Sequence, residues 1–235
     1  PLAELMAIIS PLAILSWARS SGLMKAGLVV VLAASTLNSG PVEGDLGTLG
    51  ALQLHEVSRD PVRRAVFESL LPTEHYLSYR SPVGENLKYL LCTGEDRPVA
   101  AWLFGAAAWR CEARDRWIGW NDQTRAARLH RLTNNTRFLI PRWVRVPGLA
   151  SWGWSWVRRR LNADWQSKYG HGLELVETFV DRSRFHGGAY AASHWLEIGR
   201  TQGRSRGDTH RLIQVPKKAV YVYPLNRQAR ERLSV

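Results

Sequence analysis

The chain has 235 residues, 45% of them hydrophobic, which supports one domain of ordinary size plus an appendage. Its net charge of +12 points to nucleic acid or another polyanion as partner, with a highly charged solvated surface as the alternative. The only cysteines, Cys92 and Cys111, lie far apart in apolar surroundings; this excludes a disulfide framework, shows no metal-ligand spacing and predicts a cytoplasmic protein.

Residues 1–46 are apolar, rich in Ala, Leu, Ser and Gly, and nearly uncharged. Their apolar runs, Leu5 to Trp17 and Leu28 to Leu37, fall short of the roughly 20 residues a membrane span needs, and Pro11 interrupts the first. The segment predicts short helices packed on the domain, or the remnant of a larger N-terminal region; no membrane contact is expected. The domain proper is predicted over 47–235. Gly50 to Val57 alternates apolar and polar residues and predicts a strand. Pro61 opens a helix with Asp60 as its N-cap. An aromatic loop, EHYLSYRSPVG, leads to a hairpin of strands Leu87–Cys92 and Val99–Trp109 about the turn TGEDRP. Asp122 is expected to cap a helix running through Asn135.

A short apolar run, Phe138 to Ile140, predicts the central strand, and a Gly-containing turn leads from it into a Trp-rich helix ending in Arg158-Arg159-Arg160. Leu173 to Val180 predicts a strand, Gly187 to Trp195 a short helix, and Leu196–Arg200 and Ala219–Tyr223 two further strands. The closing NRQARERL is helical and basic in character. Nine Lys and Arg stand against Asp208 and Glu231 from Arg200 onward, so the positive charge is concentrated at the C-terminal end.

The turn Arg145-Val146-Pro147-Gly148-Leu149-Ala150 joins a strand to a helix, a junction that aims several backbone N–H groups and the positive end of a helix dipole at one place. Its Arg-x-x-Gly-x-Ala pattern resembles the pyrophosphate-binding loop of the GNAT acyltransferase superfamily. The alternative is an ordinary turn shaped by Pro147 and Gly148. The element order is also close to that of GNAT proteins, in which this loop follows the fourth strand and a splayed gap beside that strand holds the pantetheine arm. The expected fold is therefore α/β and GNAT-like, a mixed central sheet flanked by helices.

Read together, EHYLSY (Glu74 to Tyr79), FGAAAWR (Phe104 to Arg110), RDRWIGW (Arg114 to Trp120), NNTRFLI with WVRVPGLAS (Asn134 to Ser151), ETFVDRSRFHGG (Glu177 to Gly188) and GRTQGR (Gly199 to Arg204) resemble the Druantia anti-phage protein A family, from about residue 50 to the C-terminus. That resemblance implies a bacterial protein of defence or mobile-element biology that works with other defence proteins on or near DNA, and it implies no settled reaction. Two departures stand out. Ala189 occupies the place where the family usually has Cys. The first 46 residues do not resemble the helical N-terminal part that many members carry.

Three functions follow as expectations: a nucleic-acid-contacting defence protein, an acyl- or aminoacyl-transferase using coenzyme A or a charged tRNA as donor, or a non-catalytic scaffold. In the transferase version Arg145, Gly148 and Ala150 hold phosphates through backbone N–H groups. Glu177 is either a carboxylate of raised pKa suited to proton transfer or one half of an ion pair with Arg137 or Arg184. His75, beside Tyr76, is a general base or a hydrogen-bonded structural residue. Many GNAT enzymes place a Tyr acid where this chain has Trp195, so either Tyr190 is the proton donor from a neighbouring position or the acid step is absent. Arg116 and Trp117 would bind a phosphate and stack a base, or else belong to a salt-bridged turn around Asp115 with Trp117 and Trp120 buried. Asn134 and Asn135 are expected at a helix C-cap and turn, with a substrate contact as the alternative. Arg200, Arg204, Arg206 and Arg211 form a basic loop for phosphate contact with DNA or tRNA.

Overall fold

The computed structural model describes residues 40–203 and 216–235. Residues 1–39 and the predicted nucleic-acid contacts Arg204, Arg206 and Arg211 lie outside the described residues. In chain order the elements are β1 (Val42–Glu43), β2 (Gln53–Glu56), α1 (Pro61–Glu74), β3 (Leu87–Cys92), β4 (Pro98–Ala106), α2 (Glu112–Ile118), α3 (Asp122–Arg128) and a 3-10 turn (Leu129–Arg131). Then come β5 (Leu132–Leu139), β6 (Val144–Arg145), α4 (Leu149–Tyr169), β7 (Leu175–Asp181), α5 (Gly188–Ala191), β8 (Leu196–Arg200), β9 (Lys218–Pro224) and α6 (Ala229–Ser234).

The chain divides into two compact units. The first takes the described residues up to Ser81 with Lys88–Ala101 and Leu139–Pro147; the second takes Pro82–Leu87, Trp102–Phe138 and the described residues from Gly148 onward. In the first, the sheet order is β2-β3-β4 and β1 pairs with β6 in parallel. Asp60 caps α1, its carboxylate accepting from the N–H groups of Val62 and Arg63. The helix buries Val62, Ala65, Phe67, Leu70 and Leu71 along one face. Arg142 forks onto Glu74 and holds that carboxylate below its usual range.

In the second unit the order is β4-β5-β7-β9-β8. β5 and β7 run parallel, while β9 is antiparallel to β7 and β8. This order, with β5 and β7 parallel and α4 opening between them in the chain, is a GNAT-like α/β fold. Val222 of β9 packs with Leu132, Leu175, Ile118 and Leu233, so α2 and α6 cover one face. Tyr221 and Tyr223 point to the other face, where their rings meet Tyr190 and Trp195 and, through them, Trp154 of α4.

Three elements differ from expectation. The segment 132–135 is the start of β5 rather than a helix end, so Asn134 and Asn135 are strand residues and not caps. Asn121, not Asp122, caps α3 by accepting from Thr124 N–H. The Arg114–Trp120 block is mostly helix, closed by Gly119 at φ +94.

Candidate functional site

Leu132 and Phe138 belong to one strand, six positions apart. Strict alternation would put both on one face. Yet Leu132 packs with α2 and α6, while Phe138 stacks on Trp102 and meets Trp154 on the other face. The strand therefore changes face between them. Asn135 and Thr136 mark the place: both side chains donate to the Leu103 carbonyl, at 3.2 and 3.3 Å, and Asn135 also donates to Arg137 O.

The parallel ladder between β5 and β7 runs from Leu132↔Leu175 to Asn134↔Glu177, although both strands continue beyond it. At the next step the Thr178 hydroxyl, rather than a backbone N–H, donates to Asn135 O at 2.9 Å. Asn135 Oδ1 in turn accepts from the Tyr190 hydroxyl at 3.0 Å. Where the strands part, the rings of Phe138, Trp154, Tyr190 and Trp195 lie together.

α4 begins at Gly148, whose φ of +78 is left-handed, and no side chain among the described residues caps it. The N–H groups of Leu149, Ala150 and Ser151 precede the first intrahelical bond, made by Trp152 N–H to Gly148 O. A free helix start of this kind favours an anion. Arg145 lies in the first unit, where its exposed side chain pairs with Glu43 at 3.3 Å.

Glu177 is opposite Val222 in register, so it shares the face covered by α2 and is turned away from Tyr190. It is fully buried. One carboxylate oxygen accepts from Ala108 N–H at 2.6 Å and the other from Arg114 Nη1 at 2.8 Å. The partner is thus Arg114 of α2, not Arg137 or Arg184. Arg114 is itself fully buried, donating also to Ala108 O and to Asp115, which Arg125 approaches at 3.6 Å. Burial pushes the Glu177 carboxyl above its usual range, and Arg114 and the Ala108 N–H pull against it. His75 lies in the first unit as the C-cap of α1; its Nδ1 accepts from Leu77 N–H at 3.2 Å and its ring packs on Tyr76. Glu177 and Tyr190 are therefore on opposite faces of the sheet, and the structure does not bring the three predicted acid–base residues to one place.

The basic candidates in the second unit behave differently. α2 packs against β8 and α6, and α3 against α6. Gly199 of β8 makes the first contact close: a Cβ there would stand 3.0 Å from Ala113 Cβ. On these packed elements stand Arg116, Arg200 and Arg230, all exposed, with exposed Arg110 just before α2. Among the described residues Arg116 pairs with exposed Glu112, and Arg110 with exposed Asp122 at 3.1 Å. Trp117 is half-buried, with the Arg230 guanidinium over its ring at 5.5 Å. Beside Arg110, Trp109 is 60% exposed, a residue without a predicted role. Its signal was its place beside Arg110, just after a strand that is buried almost throughout.

No helix among the described residues is long and apolar enough to cross a membrane. The chain is similar in structure to the spermidine N-acetyltransferase of Vibrio cholerae in complex with coenzyme A and spermine, at 9% identity and a TM-score of 0.47, covering 74% of this chain and 95% of that one. It is similar also to an N-acetyltransferase from Staphylococcus aureus Mu50, at 6% identity and 0.47, covering 75% and 99%. An acetyltransferase of the GNAT family from Streptococcus pneumoniae matches at 10% and 0.44, covering 74% and 99%. These are likenesses of outline, and the fold assignment rests on the strand order. No curated protein matches the chain. The model of the Druantia protein DruA family matches residues 41–213, so the chain belongs to that defence-associated family.

Proposed function

We propose that this DruA-family protein engages nucleic acid through the basic face of its second unit, in concert with other proteins of its defence system. One observation carries the reading: arginines from distant chain segments are gathered, exposed, on the mutually packed elements α2, β8 and α6. Exposed ion pairs such as Arg116–Glu112 hold their partners weakly, so a phosphate can replace the carboxylate at little cost. The exposed Trp109 ring beside Arg110 offers a base a stacking surface of a kind that single strands use. The reading places the protein in the cytoplasm, in keeping with its two free, buried thiols, which burial pushes up to about 12 for Cys92 and about 11 for Cys111. Fluorescence anisotropy with labelled single- and double-stranded DNA and with tRNA tests it. Binding that weakens as salt rises supports the proposal; no binding to any of the three at low salt removes it.

A second reading has its own support. α4, whose start is at Gly148, packs Trp154 on Phe138 of β5, a strand whose ladder to β7 ends at Asn134 and Glu177; this geometry suits the phosphates and arm of coenzyme A. There Gly148 and Ala150 would contribute backbone N–H groups, with Arg145 preceding them. Tyr190, on the face of Trp154, would be the proton donor in the place of Trp195. Isothermal calorimetry decides: coenzyme A heat in the parent, lost in Gly148→Trp, upholds this reading, and no heat in the parent ends it in its coenzyme A form. A charged tRNA as donor would instead show as tRNA binding stronger for the aminoacylated form.

A further inference from the structure

Within the first unit, His55 of β2, Cys92 at the end of β3 and Asp96 of the turn before β4 bring one ligand atom each within 4.8 Å of one another. The register explains two of them. Gln53 stands opposite Cys92, so His55, two residues along, shares the Cys92 face. The turn supplies the third: Asp96 N–H donates to Thr93 O at 2.9 Å, and a φ of +61 turns the residue back. A left-handed conformation is uncommon outside glycine, and Asp tolerates it better than most. His55 Nε2 is 4.0 Å from Asp96 Oδ1.

We propose that His55, Cys92 and Asp96 form a zinc-type divalent metal site that ties β2 to the β3–β4 turn. A thiolate, an imidazole and a carboxylate are the mixed donor set that zinc accepts, whereas calcium and magnesium select oxygen. Tetrahedral zinc, with bonds of about 2.0–2.3 Å, holds its ligand atoms roughly 3.3–3.8 Å apart. The three atoms therefore need to draw in by no more than about 1.5 Å, within reach of side-chain rotations. Cys92 is 2% exposed, while the side chains of His55 and Asp96 keep 22% and 18% exposure. A water can complete the coordination from that side. Arg63 already forks onto Asp96, Nε to Oδ1 and Nη2 to Oδ2, both at 3.0 Å. Each carboxylate oxygen has a second lone pair, so Asp96 can keep Arg63 and still bind a metal. The guanidinium charge nevertheless works against the cation, and this makes Arg63 a handle for the test.

The full chain, stripped of metal and kept reduced, is titrated with cobalt(II) as a spectroscopic substitute for zinc. The expected result is a thiolate-to-cobalt charge-transfer band in the near ultraviolet that saturates at one equivalent and is displaced by zinc. Cys92→Ser abolishes the band, and Cys111→Ser, at the other free cysteine, leaves it. Asp96→Asn weakens binding at least tenfold. Arg63→Gln tightens it severalfold, which a merely structural Asp96–Arg63 pair would not do. Zinc-dependent protection of Cys92 from alkylation, read by mass spectrometry with Cys111 as internal reference, reports the same contact without substitution. No band in the parent under excess cobalt, a band that survives Cys92→Ser, or Cys92 alkylated equally with and without zinc overturns the proposal.

Discussion

The second unit uses arginine in two opposite ways. Arg114 is sealed, and Glu177, Asp115 and a backbone carbonyl take up its donors. Arg116, two residues on along the same helix, lies in solvent with an exposed carboxylate as partner. Helical geometry makes this split: positions two apart point to different sides, so α2 turns Arg114 toward β7 and Arg116 outward. What differs is the cost of separation. Removing a partner from the buried set strands a charge in a low-dielectric interior, whereas separating the exposed pair only returns two groups to water. The first arrangement holds the fold, and the second leaves a cation available to a partner.

The largest expected effect tests the buried half. Arg114→Met leaves Glu177 without its cation, and Asp115 with Arg125 alone, and is expected to cost about 3–5 kcal/mol by urea denaturation. Adding Glu177→Leu should recover part of that loss, because the stranded carboxylate is then gone. A double variant as unstable as the sum of the singles would break the comparison. For the exposed half, Arg116→Glu with Arg230→Glu should lower nucleic-acid affinity about ten- to a hundredfold at low salt, while stability changes by less than about 0.5 kcal/mol. A melting temperature that falls with the affinity would show these arginines to be structural instead. Smaller again is Tyr190→Phe. It removes the bond to Asn135 Oδ1 and is expected to cost about 1 kcal/mol. If the coenzyme A reading holds, it should lower turnover without weakening coenzyme A binding.

The smallest effect concerns pH. Arg142 holds Glu74 below its ordinary value of 4.5. The stability this contributes is present above that value, where the carboxylate is ionised folded or unfolded. It is lost as pH falls through the folded pKa, because the unfolded state takes up the proton first. Melting curves of the parent and Arg142→Gln should therefore differ above pH 4.5 and converge in more acidic solution.

Much of the frame was legible in the sequence because the signals were local. Asp60 before Pro61 marks the start of α1, the TGEDRP turn separates two apolar runs, and Ala219–Tyr223 is too β-rich to be anything but a strand. The error at β5 has a physical reason. Thr133-Asn134-Asn135-Thr136 carries little strand propensity, and it is extended because β4 and β7 flank it and its side chains bond neighbouring carbonyls. The site was less legible. That Glu177 avoids the surface follows from its apolar neighbours, but its partner is 63 residues away on a helix whose sequence carries no sign of the pairing. The juxtaposition of Arg116 with Arg230 likewise depends on α6 docking against α2, held in part by Trp120 Nε1 donating to Leu233 O at 2.6 Å. The cluster of His55, Cys92 and Asp96 has no linear spacing to betray it, because sheet register and a turn assemble it.

The exposed arginines, and not the buried set, are expected to meet nucleic acid. The most direct test is the dependence of DNA affinity on salt for the parent and for Arg116→Glu with Arg230→Glu. A linear fall of log K with log salt in the parent, with a slope shallower by the equivalent of about two phosphate contacts in the variant, is the predicted result. Identical slopes, or a parent whose binding ignores salt, would contradict it.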